Sequence, residues 1–135
     1  MPPAILRTMK VFLVEDSPLV RERLIEMIEA DGLHSIAGHA DSYDEALAGI
    51  GASTPDVGIF DIKLARGSGI NALAEARRRL PSLVGIVLSN HATPQHAKAS
   101  AAAGAAYFLD KSTEFERIPA ILSSIAAGKH KQDMP

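Results

Sequence analysis

Five short apolar runs recur along this chain, each followed by a stretch with helical spacing, and that alternation limits the folds open to it. The first, Lys10-Val11-Phe12-Leu13-Val14, is β-branched and stops at two acids, Glu15 and Asp16. The others are His34 to His39, Val57 to Phe60, Leu83 to Leu88 and Ala106 to Leu109. Short runs that stay apolar throughout, rather than alternating with polar residues, are what a sheet covered on both faces requires.

The segments between them carry helix signals. Ser17-Pro18 reads as an N-cap and first helical position. Val20, Leu24, Met27 and Ile28 then keep helical spacing until Asp31-Gly32. Ser42 caps a second helix through about Ile50, with Gly51 closing it. Gly67-Ser68-Gly69 leads into a third, with Ile70, Leu73 and Leu80, stopped by Pro81. Thr93-Pro94 opens an alanine-rich fourth, ended by Gly104. The last carries Ile118, Ile121, Leu122 and Ile125 and ends at Gly128. Thr113 with Glu116 has the form of a capping box, yet Pro119 lies too far inside such a helix. That helix therefore starts nearer Arg117, or it kinks.

Five β-α units force a parallel sheet with right-handed crossovers. In a chain of 135 residues they point to an α/β architecture. The expected form is a doubly wound five-stranded parallel sheet, flavodoxin-like, in the order 2-1-3-4-5, with helices on both faces. One domain from Met9 to Gly128 takes nearly the whole chain, with Met1 to Thr8 as an extension and Lys129 to Pro135 as a polar tail. Ligands of such sheets bind beyond the carboxyl ends of the strands.

Composition narrows the functions. Lys plus Arg number 14 against 16 Asp plus Glu, so no electrostatic footprint for nucleic acid or an anionic membrane is expected. No Cys is present, which excludes disulfides and thiolate metal sites. No apolar run approaches the roughly 20 residues of a membrane span. Arg77-Arg78-Arg79 reads as a solvated helix C-terminus, where cations are favoured. His91 and His96 lack the i, i+4 spacing of a helical metal pair.

The polar residues at the strand ends fall in one place. Strand one ends at Glu15-Asp16, strand three at Asp61, strand four at Ser89, and strand five leads to Lys111. Only the second strand, expected at an edge, contributes nothing. Crowded carboxylates are hard to ionise without a cation. Oxygen-only ligands suit Mg²⁺, which leaves room for phosphate oxygens. A hydroxyl and an ammonium on neighbouring loops can hold those oxygens, and a carboxylate beside them can act as a nucleophile.

The set Val14-Glu15-Asp16-Ser17, Asp61-Ile62-Lys63-Leu64 with Gly67-Ser68-Gly69, Leu88-Ser89-Asn90 and Phe108-Leu109-Asp110-Lys111 resembles the bacterial two-component response-regulator receivers. The resemblance implies that Asp61 is the phosphoacceptor. It implies that Glu15, Asp16, Asp61 and the backbone carbonyl of Lys63 bind Mg²⁺, and that Ser89 and Lys111 bind phosphoryl oxygens. Phe108 falls at the family's switch-aromatic position, paired with Ser89; lacking a hydroxyl, it works by packing alone. Ser112 follows Lys111 where the family usually has proline.

The resemblance further implies a cytoplasmic switch, not an enzyme. A sensor histidine kinase or histidine phosphotransfer protein would phosphorylate it, and it would signal to a downstream protein or through a phosphorylation-dependent homodimer. No output domain of its own, no nucleic acid and no membrane are expected. Two rival classes fit less well. A phosphatase with a strand-end Asp nucleophile resembles Asp-x-Asp, but Lys63 stands at the second acid and cannot serve as a general acid. A flavin or nucleotide binder needs a phosphate-cradling loop after strand one, where Glu15-Asp16 would repel phosphate. A degenerate receiver acting as a scaffold would not need the intact five-residue set.

Overall fold

A computed structural model describes residues 8–30 and 32–128. The expected extension, apart from exposed Thr8, and the expected tail lie outside the described residues. Along the chain run β1 (Lys10–Val14), α1 (Pro18–Glu29), β2 (Ser35–Ala40), α2 (Tyr43–Ser53), β3 (Val57–Asp61) and α3 (Gly69–Arg79). Then come β4 (Val84–Ser89), α4 (Pro94–Ala102), β5 (Ala105–Asp110), a 3₁₀ turn at Phe115–Arg117 and α5 (Ile118–Ala126). The strands form one sheet in the order β2-β1-β3-β4-β5, and every pairing is parallel. This is the flavodoxin-like, doubly wound arrangement that the alternation dictates.

Strand alternation divides the core in two. Val11, Leu13, Val57, Ile59, Ile86, Leu88 and Leu109 pack on Leu24 and Ile28 of α1 and on Ile118, Ile121, Leu122 and Ile125 of α5. Phe12, Val14, Phe60 and Val87 face the other way, against Ala46, Leu47 and Ile50 of α2 and Ala72, Leu73 and Ala76 of α3. Each fully buried Leu, Ile, Val or Phe contributes about 1.5–3 kcal/mol. The central strands are therefore rigid, and their carboxyl ends are fixed in space. Helix α4 differs: of its nine residues only Ser100 is buried.

Most caps fall where the sequence puts them. Ser17 Oγ accepts from the Val20 N–H, Ser42 Oγ from Glu45 and Thr93 Oγ1 from His96. Three boundaries move. Gly51 does not close α2, which runs on to Ser53 and ends with Thr54 left-handed at φ 43°, its N–H on the Ile50 carbonyl. Glycine permits a stop but does not impose one; Pro55, with no N–H to offer, is the real barrier. The second strand begins at Ser35, after His34, whose buried ring accepts the Met9 N–H at Nδ1 (3.2 Å). At the last helix no Thr113 capping box forms: a 3₁₀ turn precedes α5, and Pro119 sits in its first turn, where a missing N–H is harmless.

Gly69, the first residue of α3, is pressed against the end of β3. Its N–H donates to the Ile62 carbonyl at 2.9 Å, and a Cβ there would lie 1.8 Å from the Asp61 carbonyl oxygen. Gly69→Ala must push α3 away from the strand that carries Asp61. We expect it to cost about 1–3 kcal/mol, the range of overpacked cores. Urea unfolding midpoints measure this, and a midpoint equal to wild type would contradict the close approach.

Candidate functional site

Because all five strands run parallel, their carboxyl ends share one rim, and the polar strand-end residues meet there. Glu15 follows β1 and is 1% exposed; Asp61 ends β3 and is 6% exposed. Asp16 is the more open of the three acids. Oxygen atoms of Glu15, Asp16 and Asp61 all lie within 4.8 Å of one another, the one such group of metal-capable side chains among the described residues.

Lys111 reaches into this cluster from the β5–α5 connection. Its Nζ lies 2.8 Å from Glu15 Oε1 and 3.3 Å from Asp61 Oδ2. The other Glu15 oxygen accepts the Ser17 N–H at 3.0 Å, tying the acid to the start of α1. Lys111 is itself anchored, its N–H donating to the Ser89 carbonyl at 2.8 Å. Burial works to lower the Lys111 pKa, but its contact with Glu15 and the charges of Asp61 and Glu15 outweigh it and hold the ammonium above its ordinary value. Burial, and then the charge of Glu15, push Asp61 up to about 6 in spite of Lys111.

Ser89 is buried at the end of β4, yet its hydroxyl faces its own loop. It donates to the His91 carbonyl at 2.7 Å and accepts the His91 N–H at 3.0 Å. Phe108 is half-buried on β5, packed toward the α2 and α3 side of the core. Lys63 is exposed, in a loop closed by an isolated bridge to Ser68. That loop is stitched to its neighbour: Tyr43 N–H donates to the Arg66 carbonyl and Ala65 N–H to the Asp41 carbonyl, at 2.9 and 3.2 Å.

Sequence reasoning missed two parts of the site. Ser112, in place of the family's proline, makes a turn of its own: its N–H (2.8 Å) and hydroxyl (2.6 Å) both donate to Asp110 Oδ1. The Ser112 hydroxyl and backbone N–H hold the Asp110 carboxyl below its ordinary pKa. No peptide bond among the described residues is cis. The Glu15–Lys111 pairing also lay beyond reach, because it links chain ends that no local pattern relates. Away from the site, the basic triplet ends α3, as its sequence position implies. Arg78 and Arg79 pair with Glu75 at 2.6 and 2.8 Å, and Arg77 donates to the Leu83 and Pro81 carbonyls.

Known proteins share this fold. The family model for the response regulator receiver domain matches residues 11–123. The DNA-binding transcriptional activator DevR/DosR of Mycobacterium tuberculosis is 30% identical over 124 residues, which are 92% of this chain and 57% of that protein. The chain thus spans little more than half the length of that curated relative. The crystal structure of a LuxR-family two-component response regulator from Aurantimonas sp. superposes with a TM-score of 0.83 at 26% identity, covering 90% of this chain and 86% of that one. A CheY-like receiver domain protein from Methanospirillum hungatei gives 0.81 at 21% identity, covering 94% and 98%, a likeness of fold. The chain belongs to the response regulator receiver domain family, the switch modules of two-component phosphorylation signalling.

The raised Asp61 pKa has a consequence for stability. Its folded value, about 6, lies above the unfolded carboxylate's. Ionising it therefore costs stability: the penalty is absent below about pH 4, grows toward about pH 6 and is complete above that. In magnesium-free buffer Asp61→Asn should be more stable than wild type at pH 8 by on the order of 2 kcal/mol, and should lose that advantage at pH 4. Denaturant midpoints at the two pH values check it; no gain at pH 8 would contradict the buried charge.

Proposed function

We propose that this chain accepts a phosphoryl group on Asp61 from the phosphohistidine of a sensor histidine kinase or a histidine phosphotransfer protein. The observation that carries the reading is the Asp61 carboxylate at the sheet rim, with Lys111 Nζ at 3.3 Å and oxygens of Glu15 and Asp16 beside it. An Asp61 oxygen attacks phosphorus, the P–N bond of the donor breaks, and the electron pair leaves with the imidazole. The product is an aspartyl phosphate, with no net oxidation or reduction. Lys111, beside Asp61, would hold its ammonium against a phosphoryl oxygen of the transferring group.

The donor set, carboxylates and backbone carbonyl without nitrogen or sulfur, fits Mg²⁺. Glu15, Asp16 and Asp61, with the backbone carbonyl of Lys63, would hold it. When bound, the ion supplies positive charge against the phosphoryl oxygens. Ser89 then turns its hydroxyl toward the phosphoryl group, and Phe108 moves into the space it leaves. The altered face, formed by α4, β5 and α5, is read by a downstream protein or by a second copy of the chain. The DNA binding named for DevR/DosR is that protein's own and is not carried over.

Acetyl phosphate with Mg²⁺ should add one phosphoryl group, read by intact mass, and Asp61→Asn should take none. Lys111→Met should slow the reaction about tenfold to a hundredfold, the worth of one charged hydrogen bond. Equal labelling of Asp61→Asn would overturn the assignment.

A further inference from the structure

The carbonyl oxygen of His91 is oversubscribed. It accepts from the Ser89 hydroxyl at 2.7 Å, from the Thr93 N–H at 2.8 Å and from His96 Nδ1 at 2.9 Å. A carbonyl has two lone pairs for these three donors and can only accept, so His96 Nδ1 carries a hydrogen. His96 lies half-buried in the first turn of α4, where its own N–H donates to Thr93 Oγ1 at 3.1 Å. Ser89 is thus held in its resting position by a group that two other donors also claim. To donate to a phosphoryl oxygen, it must leave that group.

We propose that His96 is a positioning residue that sets how readily Ser89 is released. This rests on the reading of Asp61 as phosphoacceptor and of Ser89 as a phosphoryl ligand. Two effects run in the same direction. While Ser89 is parked, the His96 donor competes for the carbonyl and loosens its hold. Once Ser89 leaves, His96 and Thr93 keep the carbonyl paired, so its departure leaves no acceptor unsatisfied. Without the His96 donor, Ser89 has a stronger grip to break and leaves a poorer bond behind.

The donor role is separable from any role in folding. His96→Ala removes the hydrogen bond. His96→Asn places an N–H where Nδ1 stood. His96→Asp has a similar shape but only accepts, and a carboxylate in the first turn of a helix favours that helix. The measurement is titration of each chain with beryllofluoride, a phosphoryl mimic, in excess Mg²⁺, followed through amide shifts of the loops around Asp61 and Ser89. We expect His96→Ala and His96→Asp to bind on the order of threefold to tenfold more weakly, as the loss of one hydrogen bond implies. His96→Asn should stay within about twofold of wild type, by the same scale. In a Ser89→Ala background the three variants should bind alike, because the coupling has lost its second member. If His96→Ala binds as wild type, or His96→Asp matches His96→Asn, the donor role is wrong. If the differences persist without the Ser89 hydroxyl, they arise from charge or helix structure and the proposal fails. A wild-type chain that does not bind beryllofluoride at all overturns the phosphoacceptor reading itself.

Discussion

Three carboxylates within 4.8 Å of one another, with the Lys111 ammonium against two of them, are an arrangement the chain would not adopt for stability's sake. Like charges at that range repel, and burial of Asp61 and Glu15 sharpens the repulsion. The arrangement persists because the apolar sheet beneath is rigid. Val11, Leu13, Ile59, Ile86 and Leu88 are each at most 1% exposed and leave the strand ends no freedom to spread. Lys111 and the Ser17 N–H take up the Glu15 oxygens, and what remains is an excess of negative charge aimed outward around Asp61. A site of this kind gains from any positive centre brought to it. Local unfavourable electrostatics supported by a strong core is the usual mark of function.

Much of this was legible in the sequence, and the reason is the sheet. Runs such as Val57 to Phe60 are apolar on both faces, so they had to be central strands. Once five of them were placed, parallel pairing carried Glu15, Asp16, Asp61, Ser89 and Lys111 to one rim. Ser17, Ser42 and Thr93 announced helix starts because a cap is a local interaction. What stayed hidden was tertiary. Gly51 looked like a stop, but only the position of Pro55 and the left-handed Thr54 decide where α2 ends. Gly69 read only as part of the lead-in to α3, whereas its lack of a side chain lets α3 touch the Asp61 carbonyl. The direction of the Ser89 hydroxyl depends on the path of the next loop, which no periodicity encodes.

The stitching of the loop after Asp61 to the loop after β2 gives the molecule a mechanical asymmetry. On that side, backbone bonds from Tyr43 and Ala65, with a bridge between Ser42 and Arg66, splint the loop after Asp61 to the edge of the sheet. On the other side, the loop after Ser89 leads into a helix whose one buried residue is a serine without a partner for its hydroxyl. The two flanks of the rim therefore act as a fixed jaw and a loose one. The edge strand β2, which sends no side chain to the rim, still anchors one flank of it through the loop that follows it.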